Sequence, residues 1–171
     1  GFWIYMLVLS VVGMALAVLI AERMQIEQSL STANDNLAGR EALLQQIQDT
    51  ASVGIFLVNM EGRITHANQF MAEMFRWPLD ALIGQEYTAL VHPDEREVGR
   101  QRMAALLQSQ ITVVDLERHY WRADHSAFWG HLKGKRFFDV GGKQLGLVGV
   151  IADITERKKA EEEMELASVV Y

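Results

Sequence analysis

The chain has 171 residues, a formal net charge of −6 and no cysteine. That length suits one domain of ordinary size with an extra element or two. The acidic balance gives no reason to expect nucleic acid as a partner, and the lack of cysteine rules out a disulfide framework and fits a cytoplasmic soluble part.

Residues 2–21, FWIYMLVLSVVGMALAVLIA, carry no formal charge. Twenty helical residues span about 30 Å, the thickness of a hydrocarbon core. Trp3 and Tyr5 suit an interfacial belt at one end, and Glu22 with Arg23 closes the other. A signal peptide would start with basic residues and carry a shorter apolar run. Residues 1–21 are therefore expected to form a membrane-spanning helix. Arg23 and Arg40 follow the span in the company of Glu22, Glu27 and Asp35, so charge alone does not orient it.

Residues 22–49 contain no proline and a single glycine, Gly39. Leu30, Leu37 and Leu44 recur every seven residues, with Ile26, Ala33 and Ile47 on companion positions and Arg40 breaking that series. This is a heptad seam sustained for about three repeats. It predicts a helical connector that pairs with a second copy as a parallel coiled coil. A single amphipathic helix packed on the following domain is the alternative. Gly13, Ala17 and Ala21, four residues apart, would allow close helix approach within the span.

From residue 50 the texture changes. Val53–Asn59 reads as an apolar strand, followed by a Glu61-Gly62 turn and a short strand over Arg63–Ala67. Asn68 can cap a short helix whose apolar face is Phe70, Met71, Met74 and Phe75, ended by Trp77-Pro78. Pro93 opens a longer helix over Asp94–Gln108 with acidic residues in its first turn. Three strands follow, Ile111–Arg122, Ala127–Phe138 and Lys143–Ala152, with turns at 123–126 and at Gly141-Gly142. The expected fold is α+β: a five-stranded antiparallel sheet with helices on one face, over residues 50–156.

The last strand runs directly into a charged helix, expected over residues 157–171. Asp153 can cap it while Glu156 sits three positions on, as in a capping box, and Arg157 lies one turn away, placed for a switching salt bridge. Beyond it Ala160, Met164, Ala167 and Tyr171 form a second narrow seam.

No catalytic set emerges. VGGKQLG lacks the GxxxxGK[ST] pattern and falls in a predicted hairpin, and there is neither a cysteine nucleophile nor a Gly-x-Ser-x-Gly elbow. With a turn centred near Asp124, His119 and His131 approach each other across the strands. No cysteine or well-placed carboxylate completes a metal site with them, so they are expected as solvated or partly buried strand residues. His92 is expected at the helix start beside Pro93.

The element order, with GRITHAN, HPDE and above all GVIADITERKKAEE, resembles the PAS sensory domain of the S-box type over residues 44–160. In that family the last strand leads through Asp-Ile-Thr into a signalling helix. The resemblance therefore implies that Asp153, Thr155, Glu156 and Arg157 couple the domain to its output. The family often has Asp-Gly at the hairpin where this chain has Asp124-His125. Covalent flavin photochemistry needs a cysteine and is excluded. Haem is disfavoured because Asp94–Gln108 offers no axial histidine, while noncovalent flavin, a small metabolite or no ligand remain open. Trp77, Trp121 and Trp129 are candidates to line a pocket, or ordinary core and sheet-face residues.

ELASVVY at the end resembles the start of the next module in bacterial cyclic-di-GMP proteins. The chain is thus expected to be the N-terminal part of a longer protein at the inner membrane, with a cytoplasmic PAS domain and a C-terminal GGDEF or EAL output domain. The segment itself is expected to have no catalytic site. A sensor histidine kinase, or a haem- or flavin-loaded oxygen or redox sensor, is the alternative. The expected partners are the bilayer, a second copy joined along Leu30, Leu37, Leu44, Ile47 and Met164, and the output domain.

Overall fold

A computed structural model describes residues 1–170. The chain divides into two units, residues 1–46 and 47–171.

The first unit is helical from Phe2 onward, within α1 (Phe2–Thr50). Among the described residues α1 is the one helix long and apolar enough to cross a membrane. Leu30, Leu37 and Leu44 are all exposed, at 64, 58 and 59%. They make an exposed apolar row along the helix.

The second unit holds β1 (Gly54–Asn59), β2 (Ile64–Ala67), α2 (Gln69–Phe75), α3 (Leu79–Leu82), α4 (Arg96–Leu107), β3 (Val113–Trp121), β4 (Ala127–Phe138), β5 (Gln144–Asp153) and α5 (Thr155–Val169). The strands form one antiparallel sheet in the order β2-β1-β5-β4-β3. The expected strands and helices are present in the expected order. The long helix is preceded by a 3-10 turn over Pro93–Glu95, and His92 Nδ1 accepts from Asp94 N at 3.3 Å there.

Alternation along the strands decides which face is buried. Phe56 and Val58 on β1, Val114, Arg118 and Tyr120 on β3, Phe128 and Leu132 on β4, and Leu147 and Ile151 on β5 point inward. They pack against Met71, Phe75 and Leu106 from the helices. Phe75 meets Tyr120 and Phe128 edge-on at 5.4 and 5.1 Å, and Tyr87 stacks on Phe56 at 5.1 Å. Contacts of this kind add to burial itself, which stabilises by roughly 25 cal/mol per Å² of apolar surface.

Asn68 joins three segments. Its Oδ1 accepts from Met71 N, capping α2, and from Ile55 N at the start of β1. Its Nδ2 donates to Val53 O at 3.0 Å and to Gln48 O, near the end of α1, at 3.1 Å. The side chain is 3% exposed, so all four amide bonds are made away from water. The β3–β4 turn lacks glycine, yet His125 takes φ 64°, and Asp124 Oδ1 stabilises it by accepting from Ser126 N at 3.0 Å and Ser126 Oγ at 2.5 Å.

Candidate functional site

The junction between β5 and α5 is where the expected coupling residues fall. Helix α5 begins at Thr155, ahead of the expected residue 157, and its N-cap position is Ile154, which makes no side-chain cap bond. Asp153 is therefore not the cap of a capping box, and Glu156 turns outward to Lys159 Nζ at 3.1 Å. The carboxylate instead closes a tighter turn: Oδ1 accepts from Thr155 N at 2.9 Å and Thr155 Oγ1 at 2.6 Å. Thr155 Oγ1 in turn accepts from Trp129 N at 3.2 Å, and Ile154 N donates to Trp129 O at 2.9 Å. The helix start is thus pinned to the backbone of β4.

Nor does Arg157 pair with Asp153. The remaining Asp153 oxygen, Oδ2, accepts from Arg122 Nη2 at 3.3 Å. Arg157 pairs with Glu117 on β3 and with Glu161 at 3.2 Å, and Lys158 pairs with the same Glu117. Lys158 Nζ also lies 5.3 Å from the Trp129 ring centre. Hydrogen bonds from Lys158 and then Arg157 hold the Glu117 carboxyl below its ordinary range.

Glu117 and Arg122 are the junction residues that spacing does not expose. Arg122 Nε donates to Met74 O at 2.9 Å, and its Nη1 reaches Ser126 Oγ and Ala127 O, both at 3.4 Å. Its guanidinium carbon sits 4.3 Å from the Phe128 ring centre. One side chain therefore ties the end of α2, the β3–β4 hairpin and a core ring to the carboxylate that starts α5.

Of the second seam, Met164 is 71% exposed and Ala160 and Ala167 are exposed as well; Tyr171 lies outside the described residues. Ile47 is 55% exposed.

The histidines depart from the expected arrangement. The register pairs His119 with Trp129, and His131 with Glu117, so His119 and His131 do not meet. His131 Nε2 contacts Asp115 Oδ1 at 2.5 Å, which holds that carboxyl below its ordinary value. His119 is sandwiched between His92 and Trp129, each stacked on it at a centroid distance of 4.7 Å. Burial, and then the neighbouring His92, push its pKa below 6.5.

That shift has a sign. A histidine harder to protonate when folded leaves the unfolded chain binding more protons, so stability rises with pH across the window below 6.5 and is flat above it. The urea midpoint is expected to fall as pH is lowered from 7.5 to 5.5, and His119→Phe should abolish that part of the slope. An equal slope in the variant would assign it elsewhere. Asp115, Glu117 and Asp124 have lowered values and act in a separate, lower window, losing their contribution only as pH falls through and below the ordinary carboxylate range.

Inside the domain lies a cavity of about 40 Å³, lined by residues that include Phe56, Tyr87, Arg102, Arg118, Leu132 and Leu147. A water needs about 10–15 Å³, so the space has room for a few waters or a small organic molecule. None of Trp77, Trp121 and Trp129 lines it. Trp121 and Trp129 sit at odd positions of β3 and β4, which face away from the core, and Trp77 packs against the buried cluster from its edge. Tyr87 and Tyr120 share a hydrogen bond at 2.8 Å, and burial raises both hydroxyls above 10.

Comparisons with known proteins agree with this architecture. The chain is 28% identical over 144 residues to the sensor histidine kinase TmoS of Ectopseudomonas mendocina, covering 84% of this chain and 14% of that protein. It is 21% identical over 161 residues to the probable diguanylate cyclase DgcE of Escherichia coli, covering 94% of this chain and 14% of the relative. The chain thus spans about one seventh of the length of these two relatives. Among solved structures, the PAS domain of a protein from Colwellia psychrerythraea superposes with a TM-score of 0.61 at 18% identity, over 70% of this chain and 98% of that one. The family model described as the PAS fold matches residues 42–154, and the chain belongs to the PAS family.

Proposed function

We propose that this chain is the sensory and signal-relaying part of a membrane-anchored protein, in which the PAS domain controls a C-terminal output domain through α5. The observation that carries this reading is the double attachment of α5. Asp153 and Thr155 tie its start to β4 and to Arg122, while Arg157 and Lys158 tie its first turn to Glu117 on β3. A change in the sheet or in α2 therefore reaches the helix through charged contacts that are partly open to water and individually weak enough to rearrange.

The span over residues 2–21 anchors the protein in the inner membrane with the PAS domain cytoplasmic. The exposed row of Leu30, Leu37 and Leu44, with Ile47 and Met164, is the seam of a parallel homodimer. The segment itself does no chemistry. The output is cyclic-di-GMP synthesis or hydrolysis, in keeping with the diguanylate cyclase among the relatives. A histidine kinase output is the second reading, favoured by the TmoS match.

Asp153→Ala is expected to cost about 1 kcal/mol of stability, to leave the sheet folded and to uncouple output in the full-length protein. Output activity and signal response equal to wild type would sink the coupling role. Leu37→Asp is expected to abolish most cross-linking between copies through the connector, since it buries a charge in an apolar seam. An unaltered cross-linking pattern would count against the coiled coil.

A further inference from the structure

Arg118 is the outlier of the core. It sits on the inner face of β3 between Val114 and Tyr120, only 4% exposed. The ion pairs among the described residues do not include it. A buried guanidinium without a counter-ion is costly, and proteins ordinarily pair such a group. Here the surroundings make room for it instead. Helix α4 places Gly99 over the guanidinium, where a Cβ would lie 3.1 Å from Arg118 Nη1, so a larger residue would press on it. The Arg118 guanidinium hydrogen-bonds the Tyr87 hydroxyl, but that group is neutral and cannot balance the charge.

Beside this charge lies the cavity of about 40 Å³. Its lining contains Arg118, the exposed Arg102 and Tyr87, and is otherwise apolar, with no Asp or Glu among the lining residues. The site thus combines one buried planar cation, the tyrosine it hydrogen-bonds and an apolar wall that includes Phe56, Leu132 and Leu147.

We propose that this cavity binds a small monocarboxylate, its two oxygens held by the Arg118 guanidinium and the Tyr87 hydroxyl and its short apolar body against Phe56, Leu132 and Leu147. The proposal names the ligand class for the sensory reading above and rests on it. A guanidinium fork matches a carboxylate in two parallel hydrogen bonds. A tetrahedral dianion would call for a second buried cation, and Arg102 is exposed. The volume, room for about three waters, suits a ligand of roughly two to four carbons. Binding has a route outward. Arg118 is flanked on β3 by Glu117, which holds Arg157 and Lys158 of the exit helix, so a ligand that draws Arg118 inward acts on the strand that anchors α5.

The test is titration calorimetry of the whole chain in detergent at fixed ionic strength, with acetate, propionate and pyruvate, and with inorganic phosphate and 1-propanol as comparators. Saturable binding of at least one carboxylate, tighter than either comparator, is expected. Arg118→Met keeps the apolar stem and removes the charge; it should fold with an equal or higher melting temperature in the absence of ligand and weaken carboxylate binding at least about tenfold. Tyr87→Phe provides a second reading that leaves the charge in place, with an expected weakening of about threefold or more. Absence of saturable carboxylate binding would overturn the proposal. So would undiminished binding in Arg118→Met or, should that variant not fold, in Tyr87→Phe. These outcomes leave the relay itself to the separate test of Asp153→Ala on output, so the two failures are distinguishable.

Discussion

Gly146→Ala is expected to remove the cooperative unfolding transition of the domain. Gly146 lies on β5 with φ 155°, opposite Asn59 of β1 and Phe137 of β4. A Cβ there would lie 1.8 Å from the Val58 carbonyl oxygen and 2.8 Å from its carbon. Both are backbone atoms of a strand paired on two sides, so relief requires breaking the β1–β5 ladder rather than turning a side chain. The cost is on the order of 4–5 kcal/mol or more, at the far end of single substitutions and comparable with the whole stability of an ordinary domain, about 5–15 kcal/mol. Urea titration followed by tryptophan fluorescence checks this. A variant with a wild-type midpoint would show that β5 shifts past β1 at little cost.

Arg122→Ala has the next largest effect and the more direct bearing on function. The change removes the donor to Met74 O, the contacts to Ser126 Oγ and Ala127 O, the cation over Phe128 and the partner of Asp153. With the Arg122 side chain only 16% exposed, the expected loss is about 2–3 kcal/mol. Arg122→Lys recovers little of it, because a point charge cannot serve Met74, the hairpin and Asp153 together. In a double-mutant cycle, Arg122→Ala and Asp153→Ala should be non-additive by about 0.5–1 kcal/mol. Strict additivity would mean that the 3.3 Å contact carries no coupling. Asp153→Ala alone costs less because the carboxylate is more open to water, at 36% exposure.

Local pattern made most of the fold legible. Strand alternation located β4 at Ala127–Phe138, and Asn68 followed by Phe70, Met71, Met74 and Phe75 marked α2 and its cap. What local pattern does not carry is the partner on another element. The Asn68 amide reaches back 20 residues to Gln48, and Arg122 reaches 48 back to Met74 and 31 on to Asp153. Those pairings arise from sheet register, which spacing along one strand leaves unset.

The histidines illustrate the same limit. A turn placed one residue differently moves the partner of His119 by two positions, and the register selects Trp129 rather than His131. The Asp153–Glu156 spacing is a sound capping signal by itself. Here Thr155 competes for the Asp153 carboxylate, and Lys159 draws Glu156 outward. Arg118 was hidden for a further reason: a charged residue at an even position of β3 breaks the alternation that otherwise identifies the inward face.

The relay claim is tested most directly by amide hydrogen exchange of the whole chain, wild type against Asp153→Ala, read over the first turn of α5 and over the strands. The contacts of Asp153 with Thr155 and Arg122 predict faster exchange in the first turn from Thr155, with protection of β1, β4 and β5 unchanged. Equal protection of α5 in the two proteins would contradict the account, because the helix would then hold its place without the junction.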